Sequence, residues 1–302
     1  MTLKHSPASL FVAIAWFSLL GFGSSAARAQ QPAEKVLYSF TGSSGANPEA
    51  GLIRDASGNL YGTTQDGADN EGTVFELVNS SGTYSERVLY SFTGSNGDGA
   101  TPDGALIIDA SGNLYGTTFN GGEWDWGTVF ELVNSSGNYT EQLLYSFTGM
   151  AVGGDGANPN AALTTDASGN LYGTTVFGGA AGQGTVFELV NSSGSYSEQV
   201  LYSFTGSNGD GANPYGGLVM DASGNLYGTT VVGGNNGFCQ QYATDGCGIV
   251  FELVNSSGSY SEQVLNTFTG SNGDGAYPFG GLVMDVSGNL YGTTLACLIH
   301  QT

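Results

Sequence analysis

DASGNLYGTT stands at residues 55–64, 109–118, 166–175 and 221–230, and DVSGNLYGTT stands at 285–294. The copies start 54, 57, 55 and 64 residues apart, and self-similarity at such a period signals a repeat architecture. Working outward from the fourth copy, GLVM precedes the motif, IVFELV follows after a loop, NSSG turns the chain and QVLNTF closes the unit. Strand-length runs rich in Val, Tyr, Phe and Thr, bounded by Gly, Asn and Ser, are the β signature. In D-A-S-G-N the Asp carboxylate can accept from backbone N–H groups two residues on, and Gly can take positive φ. N-S-S-G works likewise. Both links therefore read as hairpin turns, and the unit as a four-stranded antiparallel meander, here called a (GLVMD), b (NLYGTT), c (GTVFELV) and d (QVLYSF).

Such meanders in tandem are propeller blades. Strand c has apolar residues on both faces (Phe75 and Leu77 on one, Val74 and Val78 with Glu76 on the other), as expected if neighbouring blades cover both sides. The fold class is all-β: a β-propeller or incomplete propeller of four-stranded antiparallel blades, with four full repeats and a partial fifth. A β-solenoid is the alternative. Repeats fall at about 36–88, 89–143, 144–200, 201–264 and 265–294, within a repeat domain over 30–302. Residues 36–40 (VLYSF) read as a strand d with no blade before it, and 295–302 as an off-pattern tail; either strand d completes a defective fifth blade in a closed ring, or the chain is a truncation of something longer, which that tail favours.

LYSFTG, DGANPxGGL, DASGNLYGTT and GTVFELVNSSG together resemble the Gloeo/Verruco (GloVer) tandem repeat of exported bacterial proteins, over residues 36–294. The resemblance implies a secreted or surface-attached protein without a defined biochemical role. Family members carry varied C-terminal anchors; this chain shows no C-terminal apolar helix with a basic stop.

The N-terminus reads as a secretory signal peptide over 1–29. Lys4 and His5 precede a 13-residue apolar run at 10–22, and Ala27-Arg28-Ala29 forms the cleavage site. An uncleaved anchor is the alternative, although a membrane span needs about 20 residues. No membrane span is expected in the mature chain. Removing Lys4 and Arg28 takes the formal charge from −21 to −23, which repels nucleic acid and anionic lipid. Expected partners are a glycan or a surface protein, and the expected location is extracellular or cell-surface, with the periplasm as alternative.

His5 and His300 are the only histidines, one in the leader and one in the tail. Ser-His-Asp, Cys-His and His-ligated metal sites are thereby excluded from the repeats. Carboxylate chemistry of the glycosidase kind is what remains. Most carboxylates recur, however: Asp55, Asp109, Asp166, Asp221 and Asp285 in the a–b turn, and Glu76, Glu131, Glu188 and Glu252 in strand c. Recurring residues serve the blade, and the Glu side chains are expected to meet Tyr or Thr hydroxyls and backbone N–H groups of the next blade.

A meander places its a–b and c–d turns on one face and its d–a and b–c loops on the other. The second face carries the irregular b–c loops, 65–71, 119–126, 176–183 and 231–247. Irregular loops on a rigid scaffold are where binding sits. Glu123, Trp124, Asp125 and Trp126 hold the only tryptophans of the mature chain and form the candidate ligand site, a flat apolar surface beside acceptors. Plugging a blade edge is the competing role for a Trp. Cys239 and Cys247 read as a loop-closing disulfide; Cys297 is left over. Asp98, Asp155, Asp210 and Asp274 in G-D-G settings are calcium candidates, with a tight turn as the better reading. No catalytic residue and no cofactor beyond that calcium is expected. The whole reads as a non-catalytic extracellular binding or surface module. A carboxylate-dependent polysaccharide hydrolase or lyase, with Glu123, Asp125 or Asp245 as its acids, is one alternative, and a structural envelope or matrix component another.

Overall fold

A computed structural model describes residues 34–42, 44–67, 70–149, 154–234, 239, 246–271 and 273–295. The chain divides into two compact units, Met1–Leu37 and Tyr38–Thr302. Of the first unit only 34–37 is described, and it lies in no strand. The leader, Asp245, and the tail beyond Leu295 lie outside the described residues. Among the described residues no helix is long and apolar enough to cross a membrane.

The repeat domain is a series of four-stranded antiparallel blades. The first contains Ile53–Arg54, Leu60–Thr64, Thr73–Ser80 and Thr83–Ser91 in that order. The second contains Ile107–Ile108, Leu114–Thr118, Thr128–Ser135 and Asn138–Ser146. The third contains Thr164–Thr165, Leu171–Thr175, Thr185–Ser192 and Ser195–Ser203. The fourth contains Val219–Met220, Leu226–Thr230, Ile249–Ser256 and Ser259–Thr267. A fifth unit has Val283–Met284 paired with Leu290–Tyr291. The propeller-type meander is thus present, and no parallel coil occurs among these sheets.

Three expectations need correction. Strand a is only two residues long in every unit, and the chain before it runs close to the next blade: a Cβ on Gly104 would lie 2.7 Å from the Ala161 carbonyl. Strand d is longer than QVLYSF and starts directly after the turn. Ser81 (φ 52°) and Gly82 (φ 84°) make a two-residue type I′ hairpin, so pairing begins at Ser80 and Thr83. Residues 36–40 form no strand. Phe40 nevertheless packs on Phe75 at 4.9 Å, the contact that Phe92–Phe130, Phe147–Phe187 and Phe204–Phe251 make between successive blades at 5.1 Å.

Each letter of LYGTT has a task. In the second blade Leu114 is fully buried in the interblade core with Phe92, Leu106 and Phe130. Tyr115 donates to Glu131 (2.9 Å), and Thr118 donates to the Asn120 carbonyl and meets Thr128, both at 2.8 Å. Thr117 reaches the next blade, donating to the Ala161 carbonyl at 3.1 Å. Gly116 makes room for Phe130: a Cβ there would stand 2.6 Å from the ring and 2.9 Å from Leu106. Gly116→Ala should therefore cost about 1–3 kcal/mol by overpacking. Equilibrium urea unfolding checks this, and an unchanged midpoint would show that the ring can retreat.

Candidate functional site

The two faces differ as strand order requires. On the turn face the two turns are tied together. Asp55 accepts from the Asn59 N–H (2.8 Å) and side chain (2.9 Å), while Asn59 Oδ1 accepts from the Asn79 N–H (2.9 Å). The same ties recur at Asn113–Asn134, Asn170–Asn191 and Asn225–Asn255. A polar hollow of about 540 Å³ opens there, lined by Thr165, Asp166, Met220 and Asp221. Burial raises the Asp221 pKa, but hydrogen bonds from Asn225, Ser223 and Tyr227 outweigh it and hold the carboxyl below its usual value. The aspartates are scaffold residues, repeated from blade to blade. Glu131 and its equivalents are scaffold too, but the hydroxyl they accept from is Tyr115, Tyr172 or Tyr227 of their own blade rather than the next. Glu76 adds an ion pair with Arg87 on its own strand d.

On the opposite face the d–a and b–c loops pair with each other, which sequence patterning did not reveal. Gly99–Ala100 pairs with Asn120–Gly121, and Gly211–Ala212 with Val232–Gly233. Isolated bridges Ala46–Asp66 and Ala157–Phe177 do the same elsewhere. The last residue of each b–c loop then accepts a backbone hydrogen bond from the next d–a segment: Thr101 to Glu71, Asn158 to Trp126, Asn213 to Gln183 and Tyr277 to Cys247 (2.8–2.9 Å).

That joint decides what the tryptophans can do. Trp126 fills the slot that Glu71 and Gln183 fill in other blades, with its indole against Gly149, where a Cβ would stand 2.8 Å from the ring. One side of the ring serves the blade edge, yet Trp126 remains 42% exposed and Trp124 50% exposed. Asp125, with φ 61°, shapes the loop through Oδ1, which accepts from the Gly121 N–H at 2.9 Å. Glu123 is exposed, and its N–H donates to Ser146 Oγ (2.8 Å).

The Asp98 series is also engaged within its own loops. Asp98 Oδ2 accepts from the Thr93 N–H (2.7 Å) and hydroxyl (2.8 Å), and Oδ1 from the Gly99 N–H (2.8 Å). Asp210 and Asp274 repeat this clamp. Asp155 accepts from Tyr145 and Thr148. Three of them, Asp98, Asp155 and Asp210, stand close enough to a strand-d Glu to repel its charge. Burial, then the charge of Asp98, Asp155 or Asp210, pushes Glu141, Glu198 and Glu262 up to about 7. Among the described residues no group of three or more His, Cys, Asp or Glu side chains is arranged to hold a metal ion. Cys239 and Cys247 are joined as a disulfide, with Cα atoms 5.3 Å apart, and both are buried against Ala276.

A second set of non-repeated residues escaped the sequence reading. The frame Ala-x-Pro-x before strand a carries Glu49, Asp103, Asn160, Tyr215 and Phe279 after its prolines. The residue before each proline is left-handed: Asn47, Thr101, Asn158, Asn213 and Tyr277 all have φ between 54° and 57°. This conformation is costly before proline and for a Thr or Tyr. It is fixed by two clamps, the joint to the preceding b–c loop and a carbonyl that accepts from the blade's own loop, as Thr101 does from Phe119 (2.9 Å). Leu295 makes this same bond to Tyr277 at 3.1 Å, so the first residue of the presumed tail is still in pattern. The clamps hold the five variable residues just before the two-residue first strand of each unit. Gln65 and Asn160 donate to Asp103 at 3.0 and 3.3 Å, and Tyr215 and Phe279 lie 5.2 Å apart. Burial raises the Asp103 pKa; the Gln65 hydrogen bond opposes this, and the charges of Glu49 and Asp66 add to it.

The repeat profile of one family matches residues 26–152 and again 69–296, described as the Gloeobacter/Verrucomicrobia repeat. The chain belongs to that family. In Gloeobacter/Verrucomicrobia repeat terms, the matched segments include all four complete blades and both sets of non-repeated residues. No curated protein matches the chain. Among solved structures, it is similar to a puromycin-hydrolysing peptidase of Mycobacterium tuberculosis (13% identity, TM-score 0.41), covering 74% of this chain and 29% of that one. It is similar to an α-L-arabinofuranosidase from Clostridium thermocellum ATCC 27405 (13%, TM-score 0.42), covering 73% and 72%. A polysaccharide lyase, an ulvan lyase bound to -[GlcA(1-4)Rha3S]-, is 11% identical with TM-score 0.44, covering 70% of this repeat chain and 56% of the lyase. The chain thus spans well under two thirds of the peptidase and of the lyase.

Proposed function

We propose that this protein is an exported, non-catalytic module that binds glycan on its irregular face. The observation that carries the reading is the pair Trp124 and Trp126, about half exposed on a loop whose backbone is pinned at Gly121, Ser146 and Asn158. Flat, rigid aromatic surfaces beside acceptors suit sugar rings. Trp126 gives one side of its ring to the blade edge, which leaves Trp124 and the outward side of Trp126 for a ligand. Trp124→Ala with Trp126→Ala should weaken binding of a responding glycan by ~5–30-fold, or about 1–2 kcal/mol. The comparison is made by calorimetric titration at unchanged melting temperature. Undiminished affinity in that variant would remove the Trp loop as the site.

The rival reading, a carboxylate-dependent hydrolase or lyase, is favoured by one feature. Burial raises the Asp103 pKa and the charges of Glu49 and Asp66 add to it, and a carboxyl shifted upward is what a general acid on glycosides needs. New reducing ends released from a bound oligosaccharide, and abolished by Asp103→Asn, would establish it over the binding reading.

A further inference from the structure

The irregular face carries a third exposed ring on the loop next to the tryptophans. Phe177 is the second residue of the third b–c loop and is 42% exposed. Its equivalents Asp66 and Asn120 are polar and tie their loop to the left-handed residue opposite. Asn47 Nδ2 donates to Asp66 Oδ2, and Asn120 Nδ2 donates to Thr101 Oγ1 at 3.3 Å. Val232, the fourth equivalent, is half-buried. Phe177 has no polar side-chain atom for the tie, yet its backbone is held as theirs is, exchanging both hydrogen bonds with Ala157 at 2.9 and 3.0 Å. The next residue, Asn158, joins the two loops. Its N–H donates to the Trp126 carbonyl (2.8 Å), and its carbonyl accepts from the Val176 N–H (3.1 Å). The path from Trp126 through Asn158 and Ala157 to Phe177 spans no more than about 15 Å between Cα atoms. A single exposed ring is ordinary on a protein surface, but three on adjoining, pinned loops are the kind of patch that marks a binding surface.

We infer that Phe177 is a second stacking point for one extended glycan, so that the face takes an internal stretch of a neutral, equatorially linked polysaccharide rather than a single sugar. The inference rests on the glycan reading of the Trp loop. Equatorially linked pyranose rings form a ribbon whose C–H faces suit flat aromatic surfaces. Trp124, Trp126 and Phe177 offer such surfaces on two neighbouring blades, and the backbone joint at Asn158 fixes one loop relative to the other. Once the ribbon rests on the tryptophans, the contact with Phe177 is intramolecular, and affinity rises with chain length. Glu123 and Asp125, both exposed beside the tryptophans, accept from sugar hydroxyls. Together with a formal net charge of −21 over the chain they repel uronate and sulfate, so the chemistry points away from anionic polysaccharides.

The test titrates the full mature chain with cello-oligosaccharides, from the disaccharide to the hexasaccharide, and with hexagalacturonate. The hexasaccharide is expected to bind at least about 10-fold more tightly than the disaccharide. Hexagalacturonate should not bind. Phe177→Asn, which gives the third loop the residue that the second blade carries at this position, should weaken the hexasaccharide about 5-fold and leave the disaccharide unchanged. Phe177→Tyr keeps a ring and should keep the gain with length. Melting curves confirm folding, and the length dependence of the wild-type chain is informative without any variant. Equal affinity for disaccharide and hexasaccharide, a gain with length untouched by Phe177→Asn, or hexagalacturonate bound as tightly as the neutral probe overturns the inference. Any of these results, with binding still lost in the Trp124→Ala, Trp126→Ala variant, leaves the glycan reading standing. If no cello-oligosaccharide binds the wild-type chain, the inference falls alone where another glycan responds to the Trp variant, and both fall where none does.

Discussion

Thermal stability should peak at about pH 4–5 and decline toward about pH 8, the reverse of what a strongly acidic but well-paired protein shows. Glu141, Glu198 and Glu262 sit in strand d at successive blade interfaces, facing Asp98, Asp155 and Asp210 from the preceding d–a loop and Tyr90, Tyr145 and Tyr202 from the preceding strand d. Burial and the neighbouring Asp charge are what act on them most. Their pKa rises from 4.5 to about 7 on folding, so the folded state favours the neutral carboxyl. The stabilisation is complete below about 4.5, is lost as pH climbs to about 7, and does not return above it. At ~1.4 kcal/mol per pKa unit, and discounted by about half because each Glu is partly exposed, the loss is roughly 1–2 kcal/mol per site. On the acid side, hydrogen bonds from Asn289 hold Asp285 at about 2, and Asp221 is lowered too. Their contribution exists above the usual carboxylate pKa of 3.8 and disappears as pH falls toward 2, which sets the lower edge. Replacing all three Glu by Gln, the neutral isostere, should flatten the alkaline decline. Melting curves across the range decide it, and a wild-type protein more stable at about pH 8 than at pH 5 would contradict the account.

Phe130→Ala should cost about 3–5 kcal/mol, the range for a fully buried aromatic. The ring is 0% exposed, packs edge-on against Phe92 of the preceding blade at 5.1 Å, and lies over Gly116 of its own. Because blades contact their sequence neighbours, the loss weakens one blade and one interface together. Repeat arrays respond to such damage by splitting the unfolding transition. Urea unfolding at about pH 5 should therefore show a lower midpoint, or two transitions where the wild type has one. A change below about 1 kcal/mol would mean that the interblade aromatic ladder does not hold the array together.

Much of the scaffold was legible in the sequence because its signals are local. The Asp-Ala-Ser-Gly-Asn and Asn-Ser-Ser-Gly turns name their own hydrogen bonds, and Leu-Tyr-Gly-Thr-Thr alternates as a strand must. Strand d was read short because Ser259, Ser261 and Glu262 look like loop residues, although pairing runs from Ser259 to Thr267. The Gly99–Ala100 and Asn120–Gly121 ribbon could not be read, since residues so small carry no side-chain pattern. Tyr115 meeting Glu131 within one blade follows from register, which periodicity alone leaves open. The residues after the prolines were missed for another reason. Glu49, Asp103, Asn160, Tyr215 and Phe279 each differ by one letter inside a constant frame, and only the backbone shows that the residue before each proline is left-handed.

The division of labour between repeated and non-repeated residues is tested most directly by amide chemical-shift mapping of the labelled mature chain during titration with a responding glycan. The account predicts perturbations at Gly121, Glu123, Trp124, Trp126 and Asn158, with the turn amides of Ser111, Gly112, Ser168 and Gly169 unmoved. Perturbations centred on those turns, or none anywhere at saturating ligand, would contradict it.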